Sequence, residues 1–233
     1  MSTFVLVPGG WRGGWTFTPL ARVLRGLGHE VFTPTLTGLG DRVHLAAARP
    51  NLDTHIMDVA NLLAYEDLQD VILCGHSYAG MVISGVADRM PERLAALVYV
   101  DAFVPGDGEA WWDLAGDYFR KLAIDGSAGD GFSVTPPPGA DPRRVPHPLA
   151  AFRQAIRLTG RWQAVAEKMF IYATGWAGTP FTATYERLKA DPAWTFTSLP
   201  TGHDVFCQAP AEFLALVHAL KCFAAGPAVR RGP

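Results

Sequence analysis

The 233-residue sequence predicts an α/β protein: a mostly parallel central sheet, helices on both faces and an inserted lid. Three observations carry that expectation. In the N-terminal half, short continuous apolar runs alternate with amphipathic stretches, the pattern of strands buried on both faces and separated by helices. An aromatic-rich segment punctuated by proline and glycine then breaks the alternation. From Lys168 onward it resumes. At 49% hydrophobic and 18% charged residues, the chain can bury one large core, and its length fits a single domain carrying an insertion.

Taken in order, residues 4–7 (Phe-Val-Leu-Val) read as a buried strand, followed by a Gly-rich turn and a helix over 19–27. Gly28 is a helix stop, and 30–36 is the next strand. A helix spans 53–65, where Ile56, Val59, Ala60 and Leu63 recur at helical spacing. Residues 71–74 form a third strand, 78–89 a helix and 94–100 a fourth strand. The segment 106–165 holds Trp111, Trp112, Tyr118 and Phe119, then Thr135-Pro-Pro-Pro-Gly139 and Pro146-His-Pro148, and reads as the lid. Strand 168–174, helix 181–189, strand 194–199 and helix 210–223 follow. The core thus covers 1–105 and 166–223, with 224–233 a frayed, flexible tail.

A net charge of −2 and the lack of any Lys/Arg stripe argue against nucleic acid as a partner. Cys74, Cys207 and Cys222 show no C-x-x-C or metal-finger spacing, so no metal is expected; no cofactor is expected either, on the spacing of the Gly-rich turn. The first strand begins too near Met1 for a signal peptide, and no apolar stretch reaches the roughly 20 residues that cross a bilayer. Reduced cytoplasm is the expected compartment, with no membrane partner; a homodimer is left open.

Gly75-His-Ser-Tyr-Ala-Gly80 directly follows a buried strand and precedes a helix. A serine at such a sharp turn sits in strained backbone, so residues two before and two after it must be small; Gly75 and Ala79 are. The turn also puts Ser77 at a helix N-terminus, where partial positive charge stabilises a developing anion. Acyl transfer needs two amides aimed at that anion. Tyr78 supplies one, and the turn Pro8-Gly-Gly-Trp-Arg-Gly-Gly-Trp15 the other, best assigned to Gly10 with Trp11 as the fallback. That turn lacks G-x-G-x-x-G spacing and a following Lys-Ser/Thr, which removes the phosphate-cradle reading.

Of seven histidines, His203 in Thr201-Gly-His-Asp204 alone ends a late strand, on the sheet edge where Ser77 lies. His76 adjoins the nucleophile on the opposite side of the turn, and reads as packing. The acid is less direct. Gly175-Trp-Ala-Gly-Thr179, after the strand at 168–174, holds no carboxylate, so Asp101, ending the strand at 94–100, is the substitute. Glu186 and Asp191 are the reserves. The aromatic residues Trp11, Trp111, Trp112, Tyr118 and Phe119 are candidate walls for an apolar ligand.

These motifs together resemble short α/β-hydrolases related to plant methyl-salicylate-type esterases and hydroxynitrile lyases, with many bacterial members. The resemblance runs through Phe4-Val-Leu-Val-Pro-Gly-Gly-Trp11, Gly28-His-Glu-Val-Phe-Thr-Pro-Thr-Leu-Thr-Gly-Leu-Gly40, Gly75-His-Ser-Tyr78 and Leu199-Pro-Thr-Gly-His-Asp204, and covers the lid poorly. It implies an α/β-hydrolase fold, with nucleophile, base and oxyanion donors on Ser77, His203 and the Gly10 and Tyr78 amides. The chain departs from the family at Pro8, where a histidine is usual, and in the missing acid after the later strand. Gly9 stands where the lyases have threonine, and Asp204 where they have lysine, which argues for the esterase branch.

The expected activity is cleavage of a small to medium, largely apolar carboxylic ester through an acyl-enzyme on Ser77. Two rivals are a tailoring reaction at the same serine (lactonisation, cyclisation or lyase chemistry) and a ligand-binding protein with a degenerate site.

Overall fold

The computed structural model describes residues 1–224. The chain opens with β1 (Thr3–Val7), α1 (Thr18–Gly26) and β2 (Glu30–Phe32). Next come α2 (Leu52–Tyr65), β3 (Val71–His76), α3 (Ala79–Arg89) and β4 (Leu94–Val100). An insertion then carries α4 (Trp111–Leu114), α5 (Gly116–Ser127), the antiparallel ribbon of β5 (Ser133–Val134) with β6 (His147–Pro148), and α6 (Leu149–Arg153). The sheet resumes with β7 (Glu167–Ala173), α7 (Thr182–Lys189), β8 (Trp194–Leu199), α8 (Val205–Gln208) and α9 (Pro210–Ala224).

Six strands pair in the order β2-β1-β3-β4-β7-β8, and every pair is parallel. The alternation of side chains explains how both faces are covered. On β1, Phe4 and Leu6 pack with Leu20, Leu24 and Phe213, whereas Val5 and Val7 pack with Val59, Val82 and Val86. β3 repeats this, with Ile72 and Cys74 on one side and Val71 and Leu73 on the other. A sheet apolar on both faces needs helices on both, and this one has them.

α2 begins where its sequence says it should. Asn51 Oδ1 accepts from the Thr54 amide at 3.0 Å, and Ile56, Val59, Ala60 and Leu63 are buried. The expected strand over 30–36 is cut to three residues. Pro34 has no N–H to offer a ladder, and β2 is an edge strand with a single neighbour. The flexible tail expected over 224–233 lies, beyond its first residue, outside the described residues. Among the described residues no helix is long and apolar enough to cross a membrane.

The strand order reverses between β1 and β3: the chain first builds outward to β2, then returns to place β3 on the other side of β1. Loops leaving the carboxyl ends of β1 and β3 therefore diverge, opening a crevice at the sheet edge. The Gly-rich turn and the Gly75–Gly80 hexapeptide are those two loops.

Candidate active site

β3 ends at His76, and the next residue, Ser77, has φ of 56°, left-handed backbone that costs a non-glycine residue about 1–2 kcal/mol. Neighbouring backbone holds it there. The Ser77 amide donates to the Val100 carbonyl at 3.3 Å, and its own carbonyl accepts from Gly80 (3.0 Å) and Phe103 (3.2 Å). The small residues around it follow from contact. A methyl on Gly75 would lie 2.9 Å from the Ala79 carbonyl oxygen, and one on Gly80 1.9 Å from that of Phe103. A methyl on Gly9 would meet Ser77 Cβ at 2.9 Å, so the Gly-rich turn packs directly on the serine turn.

Asp101, just past β4, is fully buried and also left-handed, with φ of 43°. Its amide donates to the Ile171 carbonyl (2.8 Å), and its Oδ1 accepts from the Ala173 amide (3.2 Å). Oδ2 accepts from His203 Nδ1–H at 2.7 Å. Burial pushes the Asp101 carboxyl pKa up, and the hydrogen bond from His203 pulls it back toward the charged form. With its proton on Nδ1, the imidazole has Nε2 as its basic nitrogen, and His203 and Ser77 line one cavity. Glu186 instead faces Lys189 at 3.9 Å, and Asp191 accepts from the Ala193 amide at 2.9 Å. Neither reserve meets His203.

His76 is buried, and its Nε2–H donates to the His203 carbonyl at 3.0 Å, holding the loop from behind. Burial, then the nearby His203 and Arg12, keep its pKa well below the ordinary value. Asp204 turns away from its neighbour and accepts from Arg12 Nη2 at 2.6 and 2.7 Å.

Among the described residues, none accepts a hydrogen bond from the Gly10, Trp11 or Tyr78 amides. Trp11, with φ of 65°, is tied to the insertion twice: its indole N–H donates to the Val134 carbonyl (2.8 Å), and its carbonyl accepts from the Val145 amide (3.1 Å). The Tyr78 ring is anchored through its hydroxyl, which donates to His55 Nδ1 at 2.9 Å while His55 Nε2–H donates to the Thr37 carbonyl at 3.0 Å. Burial lowers the His55 pKa to about 4, so the ring is neutral at pH 7 and that tautomer is the one these partners require.

The cavity above Ser77 has a volume of about 520 Å³. Gly10, Trp11, Tyr78, Trp111, Tyr118 and Phe119 line it, and Trp112 does not. Successive residues on a helix point about 100° apart, so when Trp111 faces inward its neighbour must face elsewhere. Trp112 is half-buried, with the Arg153 guanidinium 4.3 Å above its ring. Sequence reasoning missed Phe103, Phe152, Trp176 and Phe181, which complete the aromatic wall, and Arg12 and Arg144, which make one side cationic. Trp176 had a readable signal, since it lies in the loop immediately after a sheet strand. Among the described residues, no group of three or more His, Cys, Asp or Glu is placed to hold a metal ion.

Residues 4–228 match the model of a family described as the alpha/beta hydrolase family. A carbendazim hydrolyzing esterase from Nocardioides sp. is 38% identical over 245 residues, covering 94% of this chain and 100% of that protein. Salicylic acid-binding protein 2 from Nicotiana tabacum is 30% identical over 103 residues, or 44% of this chain and 40% of that one. Among solved structures, an extracellular alpha/beta-hydrolase from a Paenibacillus species superposes with a TM-score of 0.80 at 23% identity, covering 94% of this chain and 98% of that one.

Proposed function

Because the chain belongs to the alpha/beta hydrolase family and has esterase relatives, we propose that it cleaves carboxylic esters through an acyl-enzyme on Ser77. The observation that carries this reading is the 2.7 Å hydrogen bond to the buried Asp101 from Nδ1–H of His203, which lines the same cavity as Ser77. His203 Nε2 takes the Ser77 proton as Oγ attacks the ester carbonyl carbon. The resulting oxyanion is held by the Gly10 and Tyr78 amides, and Asp101 steadies the imidazolium that forms. The imidazolium then protonates the departing alkoxide, the C–O bond breaks, and the alcohol leaves. Water, deprotonated by the same imidazole, attacks the acyl-enzyme and releases the acid and Ser77.

An aromatic cavity of this size supports a small to medium, largely apolar ester. The Asp101 contact supplies the carboxylate whose absence after β7 made a degenerate site thinkable, and it weighs against that rival. Replacing Ser77 by alanine is expected to lower kcat/KM on aryl and methyl esters at least 10³-fold, because nucleophile and base act as a unit. A fluorophosphonate probe is expected to label the native chain at Ser77. Native-rate hydrolysis by Ser77→Ala would sink the mechanism.

A further inference from the structure

One wall of the cavity is out of keeping with the rest. Arg12 and Arg144 both line it, and both approach Asp204, while Trp111, Phe119 and Trp176, which contact one another in series, supply apolar lining. Arg12, with 7% of its side chain exposed, is committed to Asp204 through both carboxylate oxygens. Arg144, with 18% exposed, comes no closer to that carboxylate than 3.7 Å, beyond hydrogen-bond distance. Its Nε is buried without a hydrogen-bond partner, and its guanidinium makes no hydrogen bond among the described residues.

The other carboxylates nearby are engaged. Asp141 accepts from Arg143 at 2.7 and 3.0 Å, and Asp101 lies behind His203. Two guanidiniums therefore share the single carboxylate of Asp204, and one positive charge at the cavity wall is unbalanced. An arginine that served only to hold the fold would spend its donors on protein acceptors, as Arg12 does on Asp204 and Arg93 on two carbonyls at 2.9 and 3.3 Å. Arg144 holds a planar fork of donors, partly stripped of water and presented to the ligand space. Burial, together with repulsion from Arg12, pushes the Arg144 pKa down, as expected of a charge short of its counterion.

We propose that Arg144, backed by Arg12, is a specificity-determining residue that receives a carboxylate carried by the substrate away from the scissile bond. The preferred ester is then amphiphilic: an aromatic or apolar body against the tryptophan side and an anionic end on the arginine side. For turnover this rests on the Ser77 reading; for binding it does not.

The test compares 4-carboxyphenyl acetate with its neutral counterpart 4-(methoxycarbonyl)phenyl acetate, and monomethyl terephthalate with dimethyl terephthalate, in the native chain and in Arg144→Gln. Taking each pair as a ratio of kcat/KM, and comparing that ratio between the two proteins, cancels intrinsic reactivity. In at least one pair the substitution is expected to lower the ratio about tenfold or more, since a charge-assisted bidentate contact is lost. For the native chain, raising salt to 0.5 M is expected to lower the same ratio. A second arm measures binding of monomethyl terephthalate to Ser77→Ala and to Ser77→Ala with Arg144→Gln by calorimetry, where affinity is expected to fall about tenfold. Equal ratios in both pairs, or equal affinities with and without Arg144, would overturn the proposal. If no ester is turned over, the Ser77 reading fails, and the calorimetry still decides the subsite.

Discussion

At the scale of single residues, Asp101 shows how far local chemistry reaches. A carboxylate ending an apolar strand is costly to bury unless something pairs with it, and that alone singled it out. The structure gives it three tethers: the Ile171 carbonyl, the Ala173 amide and the His203 imidazole. On the proposed mechanism, Asn at this position keeps the volume but loses the charge that would stabilise the imidazolium, and its amide can turn the ring to the wrong tautomer. Asp101→Asn is expected to reduce kcat on an activated ester by about 10³-fold or more with an unchanged circular dichroism spectrum. Full kcat in that variant would show that Asp101 serves the fold only. The positions of Ser77 and Asp101 were legible because each directly follows a buried apolar strand, and that of His203 because it lies in the loop after the last strand. Arg12 and Arg144 were not legible as a pair. Their shared partner is Asp204, far along the chain, and nothing in local spacing reports such a meeting.

At the scale of elements, the turn between β3 and α3 depends on packing from outside itself. Gly80 lies against the Phe103 carbonyl, backbone that cannot rotate away as a side chain would. Gly80→Ala is therefore expected to destabilise the protein by about 3 kcal/mol or to displace the turn, seen as a lower Tm together with lost activity. An unchanged Tm would mean the loop after β4 yields more easily than its contacts indicate. The strands and longer helices were readable to within a residue or two, because burial on two faces and burial on one face leave different periods. The insertion was readable only as an interruption. Two of its helices have only four and five residues, its ribbon has two residues per strand, and which of Trp111 and Trp112 faces inward depends on how α4 docks. β2 ended early because Pro34 overrode the apolar pattern at an edge.

At the scale of the whole molecule, burial holds the pKa of His55, His76 and His147 below 6.5, so these rings are neutral at pH 7. In the unfolded chain the same rings take protons near 6.5. Folding then excludes protons between the two values, so the stability present above pH 6.5 is lost as pH falls toward the folded pKa, which for His55 is about 4. His55 alone contributes about 3 kcal/mol by this route. Asp101, whose pKa is raised, acts in the opposite sense, one group against three. Tm is expected to fall steadily from pH 7 to pH 4.5, and a flat profile would mean these rings find water or partners on protonation. The parallel sheet and its two covered faces were foreseeable from composition and pattern, as was a packing role for His76 beside Ser77, whereas the edge contact between His55 and His147, 92 positions apart, was not. Trp11 joins the scales. It belongs to the turn that carries Gly10, the proposed oxyanion donor, yet both of its outward bonds go to the segment between β4 and β7 that helps line the cavity. Any swing of that segment wide enough to admit a bulky guest must snap those bonds or drag the turn along, so entry and competence for chemistry share one joint.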